Sequence, residues 1–498
     1  MNPYQAARAC ASITLSDGTA SDVCDGFPYL PSLTVNRTSS PAEVKRAIVN
    51  VLLKMTECAY TANHFHASDP DFTQISPIIV FGDAPLGEGV PLLPKYIHDP
   101  ANWTMKRIAG GNTNDLYLLT LVPLEVDDNP SPTVGHLPPS PDSPQHPYYG
   151  PGAIVRLFGA PTLIDRDTEC PLFGSLSAAG VGPLYYGRFG GGETAVQSRS
   201  GVSGGRVEAF LRGYRPLSPS DLHDEDVSDA IAEQAARVHR LEIPSNLRHV
   251  HVPGEAGLFK TLRSWLESVK KGLRDGDPES EKPYGRVPLS RFPEVQAIDL
   301  TAIESIVDWV EAKTSASKGL PPVAAGCPPP FDVLFCHNDL IAANIMLREV
   351  PQPSYGEKPD IQLIDFEYGG VNFVSFDIAN HFNEFAGGTD DANPRYDRFP
   401  TVEERRRFIG KYAEARGFGE DAVELLMEEV DIFLVINHFF WGSWAIYQAA
   451  NEGLEGTFDY LQYGSRRISE GLFHWNRRTD TDQCVVATPP PRSAQDER

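Results

Sequence analysis

The sequence predicts an α+β fold of two lobes, a small β-rich lobe followed by a larger and mainly helical one. Short apolar runs separated by glycine- and proline-containing turns extend from about Trp103 to Tyr214, whereas longer runs at helical spacing follow Tyr214. The chain has 498 residues, 41% of them hydrophobic, which suffices for two or three domains or one large two-lobed domain. We therefore divide it into an N-terminal extension, a β-rich lobe, a helical lobe and a disordered tail: residues 1–95, 96–212, 213–478 and 479–498.

The N-terminal extension is predicted to contain one amphipathic helix. Residues 1–38 show little periodicity and are expected to form a loose segment. The sequence SPAE at residues 40–43 matches a capping box with proline at the first helical position. Apolar residues then recur at helical spacing: Val44, Ile48, Val51, Leu52 and Met55. A short strand is expected at residues 78–81.

Strands and turns dominate the predicted β-rich lobe. Residues 105–122, MKRIAGGNTNDLYLLTLV, have the pattern of two strands joined by a glycine-containing turn. Residues 127–151 are rich in proline, serine and histidine and are expected to form an insertion loop. A strand at 153–159 follows, and then a helix at 168–179 that tolerates Pro171 in its first turn. A strand within residues 206–214 ends the lobe.

The helical lobe is predicted from five amphipathic runs, at residues 218–241, 257–272, 300–313, 401–415 and 421–450. Residues 432–450 are apolar and nearly long enough to span a bilayer. They also carry Asn437, His438, Ser443 and Gln448. These polar residues favour a buried helix over a transmembrane segment.

Composition limits the function classes. The formal charge of −24 argues against nucleic-acid or anionic-membrane partners, which require basic surface. Seven scattered cysteines without CxxC spacing are typical of free thiols in a reducing compartment. The N-terminus lacks the apolar core of a signal peptide, so we expect a cytoplasmic protein. A homodimer is an open alternative, because the sequence does not indicate the oligomeric state.

Two motifs indicate phosphoryl transfer: FCHNDLIAANIML at residues 335–347 and IQLIDFEYGG at residues 361–370. Transfer from ATP needs a carboxylate that accepts the hydroxyl proton and hard oxygen ligands for Mg²⁺. We assign Asp339 as the catalytic base, and Asn344 and Asp365 as magnesium ligands. Either motif alone could be an Asx turn or a solvated strand end. The two motifs in this order, each beside apolar strand sequence, favour a kinase.

The chain resembles the choline/ethanolamine kinase family, whose members have a protein-kinase-like fold. The resemblance extends from about Trp103 to Trp475. It rests mainly on HNDLIAANI, LIDFEYGGVNFVSFDIANHFNEFAG and NHFFWGSWAIYQA, together with GGNTNDLY, IVRLFG and LIDRDTE. It implies an ATP-dependent phosphotransferase for a small amino alcohol. The absence of an activation-loop APE motif after DFE argues against a peptide substrate.

The resemblance assigns the ATP side to the β-rich lobe. Gly110 and Gly111 would form a turn over the phosphates, although a lone Gly-Gly pair is also typical of a hairpin. Arg156 and Glu169 correspond to the strand lysine and helix glutamate of protein kinases and would form a phosphate-orienting pair. The alternative is a surface ion pair. A hinge at residues 208–211, which includes Glu208 and Phe210, would meet adenine through its backbone.

The acceptor site is expected in the helical lobe. Glu384 is a candidate partner for a substrate ammonium, and Asp377 is expected to support the catalytic loop. Aromatic candidates occur at helical spacing: Trp441, Trp444, Tyr460 and Tyr463. By spacing alone such residues are more often core. The resemblance implies that part of the set lines a substrate pocket.

The choice of alcohol rests on NHFNEFAG at residues 380–387. Choline kinases resemble NHFCEW followed by a tyrosine-rich segment at this point, and the NHFNEFAG form resembles ethanolamine kinases. Asn383 would add an amide where choline kinases have an aromatic wall, which favours a primary ammonium with three N–H donors. Ethanolamine is therefore the expected substrate. Choline, or both alcohols, is the first alternative, and a catalytically inactive binding module with a kinase fold is the second.

Overall fold

The structure, a computed structural model, describes most of the chain. The described residues are 10–14, 20–24, 27–65, 98–108, 114–122, 149–158, 166–190, 202–275, 280–349, 357–454, 456 and 458–481. The predicted strand at 78–81, Gly110 and Gly111, nearly all of the 127–151 insertion and the tail from 482 lie outside these residues.

The chain forms two compact units. The first contains residues 1–214 with two short segments, 244–247 and 349–351, and the second contains the remaining residues up to 498. The main division lies after Tyr214, and residues 1–95 belong to the first unit.

An eight-stranded sheet organises the first unit, in the order β1-β2-β3-β8-β10-β7-β6-β5. The strands are β1 (Cys10–Thr14), β2 (Ala20–Cys24), β3 (Phe27–Leu30), β5 (Trp103–Ile108), β6 (Asn114–Leu121), β7 (Tyr149–Phe158), β8 (Tyr185–Phe189) and β10 (Gly205–Leu211). Two short strands, β4 (Val35–Asn36) and β9 (Val202–Ser203), pair separately. The prediction of a loose segment at residues 1–38 is wrong. β3 pairs in parallel with β8, so the segment extends the sheet.

Helix α1 (Pro41–Phe65) covers part of this sheet. The predicted capping box is confirmed: Ser40 N donates to Glu43 Oε2 at 2.9 Å, and Glu43 N donates to Ser40 Oγ at 3.4 Å. The predicted apolar face is buried in one core with residues of the sheet, including Trp103 and Phe189. Each fully buried aliphatic side chain contributes ~1.5–3 kcal/mol. This packing attaches the extension to the first unit.

Helix α2 (Arg166–Ala178) begins two residues earlier than predicted. Pro171 therefore lies in the second turn, not the first, and removes one intrahelical hydrogen bond there.

The second unit is mainly helical. Its helices are α3 (Glu225–Val238), α4 (Leu258–Asp275), α5 (Phe292–Gln296), α6 (Leu300–Ser317), α7 (Val374–Asn383), α8 (Val402–Arg416), α9 (Asp421–Glu452) and α10 (Tyr460–Thr481). The five predicted helical runs are confirmed with shifted ends, and α5, α7 and α10 were not predicted. β11 (Tyr214–Pro216) begins at the division, and the remaining strands are β12 (Val333–Cys336), β13 (Ile345–Arg348), β14 (Ile361–Leu363) and β15 (Gly370–Phe373).

Two glycines let α9 and α10 approach closely. A Cβ added to Gly442 would lie 3.2 Å from Gly464 O, and one added to Gly464 would lie 2.9 Å from Gly442 O. Only a residue without a side chain permits backbones to come this near. The close crossing brings Trp444 of α9 beside Tyr460 of α10, with a ring-centroid distance of 5.8 Å.

Among the described residues, no helix is long and apolar enough to cross a membrane. The prediction that residues 432–450 form a buried helix is confirmed, since they lie within α9 and most of them are buried.

Candidate active site

The predicted catalytic loop follows β12, which pairs with β15. Residues 342–344 form one turn of 3₁₀-helix before β13 begins at Ile345. Asn338 has a φ of 67°, in the left-handed region, where asparagine is better tolerated than most residues. Its side chain is held on both sides: Nδ2 donates to Tyr368 O at 2.9 Å, and Oδ1 accepts from Asn372 Nδ2 at 2.7 Å. These bonds compensate the uncommon backbone conformation.

Asp377 supports the loop from beneath, as the sequence predicted. It lies in the first turn of α7 and is fully buried. Its Oδ2 accepts the backbone N–H of His337 at 3.0 Å, and its Oδ1 accepts that of Asn338 at 2.6 Å. His239 Nε2 lies 3.0 Å from the same carboxylate. Burial alone would raise the pKa of Asp377, but the bond from His239 and the other positive and N–H partners lower it below its ordinary value.

His337 and Ile364 join the loop to the next motif. His337 Nε2 lies 2.9 Å from Ile364 O, and its Nδ1 accepts the N–H of Asp339 at 3.3 Å. These partners define a neutral ring protonated at Nε2. Ile364 N also donates to Asn344 O at 3.0 Å. Because Asp365 directly follows Ile364, both bonds keep it beside the catalytic loop.

The three residues predicted for base and metal roles come together here. Asn344 Nδ2 donates to the backbone oxygen and to Oδ2 of Asp339, both at 3.0 Å. Both bonds use its nitrogen, so Oδ1 is the atom of Asn344 that could bind a metal. Asp365 has a φ of 61°, a strained conformation of the kind that clusters at functional sites.

The electrostatics fit a divalent cation. Burial raises the pKa of Asp339 well above its ordinary value, and the negative charges of Glu384, Asp365 and Glu367 raise it further. Carboxylate and amide oxygens are the donors that Mg²⁺ prefers. The donor set and the crowded negative charge therefore suit magnesium.

Glu384 follows α7 and is buried, with 2% of its surface exposed. Its Oε1 accepts from Arg467 at 2.6 Å, and Arg467 is fully buried. Among the described residues, Oε2 of Glu384 has no hydrogen-bond partner although it is buried. One carboxylate oxygen is thus fixed by the protein, and the other is left for a donor that binds there.

The four predicted aromatic residues form a continuous cluster. Trp441 meets Trp444 at a centroid distance of 5.5 Å, and Trp444 meets Tyr460 at 5.8 Å. Phe458 joins the cluster at 5.0 Å from Tyr460 and at 5.4 Å from Tyr463. At the other end, Tyr368 lies 5.1 Å from Trp441. Burial is the main cause that raises the pKa of Tyr368 and of Tyr463, and the negative charge of Asp339 is a further cause for both, so the cluster borders the catalytic loop.

Asn383 uses its amide nitrogen within the protein. The residue is fully buried, and its Nδ2 donates to Leu434 O at 3.1 Å and to Asn437 Oδ1 at 3.0 Å. Its Oδ1 is buried and has no hydrogen-bond partner among the described residues. The amide nitrogen is therefore directed to α9, and only the amide oxygen is left for a bound group.

In the first unit, the residues predicted to contact ATP form a buried cluster of charges. Glu169 pairs with Arg206, and Arg206 Nε donates to Glu208 Oε1 at 3.2 Å. Arg156 lies 3.8 Å from the same oxygen of Glu208. All four residues are at least nine-tenths buried, so the alternative of a surface ion pair is excluded. Phe210 is half-buried on β10.

Sequence reasoning missed Arg206, Tyr368 and Arg467. Arg206 and Glu208 are two residues apart on β10, a spacing that puts both on one face of a strand. Tyr463 and Arg467 are four apart on α10, a spacing that puts both on one face of a helix. These spacings were available in the sequence. The partner of each arginine was not, because Glu169 and Glu384 lie 37 and 83 residues away.

Solved structures share this fold at low sequence identity. An ethanolamine kinase of Plasmodium vivax matches with a TM-score of 0.55 and 20% identity, covering 78% of this chain and 86% of its own. A choline kinase of Cryptosporidium parvum matches with a TM-score of 0.52 and 21% identity, covering 77% and 92%. The chain therefore has the fold of the protein-kinase-like phosphotransferases.

Sequence comparison defines the family. The family described as Choline/ethanolamine kinase matches residues 105–471, which is more than half of the chain, so the chain belongs to the choline/ethanolamine kinase family. Similar curated proteins include the mouse ethanolamine kinase 1, 31% identical over 327 residues, which are 64% of this chain and 75% of the relative. They also include a probable choline kinase 2 of Arabidopsis thaliana, 31% identical over 325 residues (64% and 76%). A probable ethanolamine kinase of the same plant is 27% identical over 418 residues (81% and 90%).

Proposed function

We propose that this protein is an ethanolamine kinase, which transfers the γ-phosphate of ATP to the hydroxyl of ethanolamine. The proposal rests on family membership and on one observation, the unused and buried Oε2 of Glu384. A buried carboxylate oxygen without a partner is costly unless a donor binds to it. A primary ammonium supplies three N–H donors and a positive charge. The product, phosphoethanolamine, would serve phosphatidylethanolamine synthesis in the cytoplasm.

The reaction needs Asp339 as base. The hydroxyl oxygen of ethanolamine attacks the γ-phosphorus, its proton passes to a carboxylate oxygen of Asp339, and ADP leaves with the bridging oxygen. Asn344 fixes the orientation of Asp339 through its two hydrogen bonds. Magnesium, when bound to Asn344 and Asp365, neutralises phosphate charge.

ATP recognition is assigned to the first unit. The buried charge cluster of Arg156, Glu169, Arg206 and Glu208 provides fixed guanidinium groups for phosphate oxygens. The strand segment with Glu208 and Phe210 remains the proposed adenine contact, and Gly110 and Gly111 the proposed phosphate turn.

The second candidate substrate is choline. The aromatic cluster favours it, because a quaternary ammonium has no N–H and is held by aromatic faces at ~0.5–2 kcal/mol each. Tyr368 and Trp441 lie against each other at 5.1 Å, and Trp444 extends the same surface. Curated relatives of similar identity bear both names.

The experiment that separates these candidates is a steady-state comparison of kcat/KM for ethanolamine and choline at saturating magnesium-ATP. We expect the larger value for ethanolamine. A larger value for choline would reverse the proposed order. If neither alcohol, nor any other in a panel of small amino alcohols, stimulates ADP formation, the proposal of a catalytically inactive binding module replaces it.

A further inference from the structure

Asn383 and Glu384 are adjacent in sequence and are both linked to Arg467 of α10, Glu384 directly and Asn383 through Asn437. Arg467 NH1 donates to Glu384 Oε1 at 2.6 Å, and its NH2 donates to Asn437 Oδ1 at 2.8 Å. Asn437 Oδ1 also accepts from Asn383 Nδ2 at 3.0 Å. The hydrogen bonds run from Asn383 through Asn437 and Arg467 to Glu384, and the peptide bond between Asn383 and Glu384 closes the circuit. We call these four residues the carboxylate-positioning ring.

The chemistry of the ring fixes its orientation. Arginine has only donors, so the atom of Asn437 that faces Arg467 must be its carbonyl oxygen. The neighbouring atom of Asn383 must then be its NH₂ group, and this group also donates to Leu434 O at 3.1 Å. All four side chains of the ring are at least 98% buried, so water does not compete for these bonds.

The ring determines which oxygen of Glu384 remains available. Arg467 binds Oε1, whereas Oε2 is buried and has no hydrogen-bond partner among the described residues. A carboxylate that is hydrogen-bonded at one oxygen has little rotational freedom, so its second oxygen keeps a fixed position. A directional N–H donor benefits from this anchoring. A quaternary ammonium, held by charge and aromatic faces, benefits much less.

We propose that Arg467 is a positioning residue that presents Glu384 Oε2 to the substrate ammonium, and that Asn383 and Asn437 act on substrate choice by fixing Arg467. This inference rests on the proposed function, because it takes Glu384 as the ammonium-binding carboxylate. It assigns Asn383 an indirect role, through the bond from its amide nitrogen to Asn437 Oδ1.

The test uses the full chain and the variants Asn383→Cys, Asn437→Ser and Arg467→Lys. Loss of one buried hydrogen bond predicts an increase of about three- to tenfold in the KM for ethanolamine for the first two variants. The KM for ATP and the kcat/KM for choline should change less than about twofold, a selectivity that a merely structural defect would not produce. Arg467→Lys should keep part of the positioning of Glu384. Arg467→Met should raise the KM for ethanolamine on the order of a hundredfold, because it leaves the buried charge of Glu384 unpaired.

Thr314→Val is the matched control. Thr314 is also buried in the second unit, on α6, and its Oγ1 donates to Glu311 O at 3.1 Å, so the variant loses one hydrogen bond outside the ring and should leave the KM for both alcohols unchanged. If Asn383→Cys lowered kcat/KM for ethanolamine, choline and ATP by the same factor, the proposal would be overturned.

A double-mutant cycle addresses variants that fold poorly. If Asn383 acts through Glu384, Asn383→Cys should have less than about a twofold further effect in a Glu384→Gln background. Fully additive effects would overturn the inference. A wild-type protein that prefers choline would overturn the proposed function instead, and the coupling between Asn383 and Glu384 is then still measured with ethanolamine as the probe substrate.

Discussion

The catalytic loop and the acceptor region lie in the same unit but are built differently. The loop is short and contiguous, and its backbone is held by Asp377 and by Asn380, whose Oδ1 accepts the N–H of Leu340 at 2.6 Å. The acceptor region combines four segments of chain around Tyr368, Glu384, Trp441 and Tyr463. Several of its buried polar atoms have no hydrogen-bond partner within the part of the chain that the structure describes, Glu384 Oε2 among them. Under the proposed function, the residues for phosphoryl transfer are therefore encoded locally, whereas those for substrate choice depend on tertiary packing.

The largest expected effect is that of Asp339→Asn. The amide cannot accept the hydroxyl proton, so kcat should fall by about 10²–10⁴-fold. The KM for ATP and the thermal stability should change little, because the amide preserves the volume and the contact with Asn344. Steady-state kinetics with ethanolamine and a thermal melt measure these quantities. Turnover at the wild-type rate would refute the assignment of Asp339 as the base.

The catalytic loop illustrates what the sequence could predict. Asp339, Asn344 and Asp365 fall within two short motifs, and local spacing sufficed to bring them together in the prediction. The sheet was predicted less completely, because the strands at residues 10–30 are only four or five residues long and carry too little periodicity to recognise. Of these strands, β3 pairs with β8, a non-local interaction that a sequence window does not contain.

The second prediction concerns Asp377, which supports the catalytic loop, and is tested with the substitution Asp377→Asn. One carboxylate oxygen becomes an NH₂ group, which cannot accept the backbone N–H that it meets. We expect a loss of about 2–4 kcal/mol of stability, because a buried donor is left unsatisfied and His239 loses its charged partner. The kcat should fall by at least about tenfold for ethanolamine and choline alike.

Denaturant unfolding and kinetics with both alcohols test Asp377→Asn. Asn380→Ala is a companion variant that removes the acceptor for Leu340 N, and it should also slow both alcohols equally. If either variant changed the ratio of the two kcat/KM values, the separation between loop and acceptor region would fail.

The third prediction is a pH effect at Glu429, on α9. Its Oε1 accepts from Phe331 N and its Oε2 from Ser375 Oγ, both at 2.7 Å, so it links the segment before β12 to α7. Burial raises the pKa of Glu429 from 4.5 to about 7. The folded protein therefore keeps a proton that the unfolded chain releases between pH 4.5 and 7. Stability from this group is fully present below pH 4.5 and is lost as the pH rises to about 7, by roughly 3 kcal/mol.

Glu429→Gln removes this titration and preserves an acceptor oxygen. Urea unfolding of both proteins from pH 5 to 8 should show the wild type losing stability relative to the variant as the pH rises. Other titrating groups, such as the partly buried His474, are common to both proteins and cancel in the difference. Parallel stability curves would contradict the raised pKa.

The acceptor region shows why the remaining site residues escaped prediction. Arg467 meets Glu384 only because α10 packs against α9, and α10 itself was not recognised as a helix. The amide nitrogen of Asn383 donates to α9, a direction that the motif NHFNEFAG does not reveal. In both cases the missing information is the packing of two helices.

The smallest expected effect tests that packing directly, with Gly464→Ala. The added Cβ would lie 2.8 Å from Ile446 Cδ1 and 2.9 Å from Gly442 O, so the two helices must separate. Such overpacking costs about 1–3 kcal/mol. Tyr463 and Arg467 move with α10, and we therefore expect a higher KM for the amino alcohol with an unchanged KM for ATP.

Gly410→Ala in α8 is the control, because a Cβ there meets no atom within 4 Å and should stabilise the helix by about 0.5–1 kcal/mol. A normal KM in a destabilised Gly464→Ala protein would separate helix packing from substrate binding and contradict the view that the crossing positions the acceptor site.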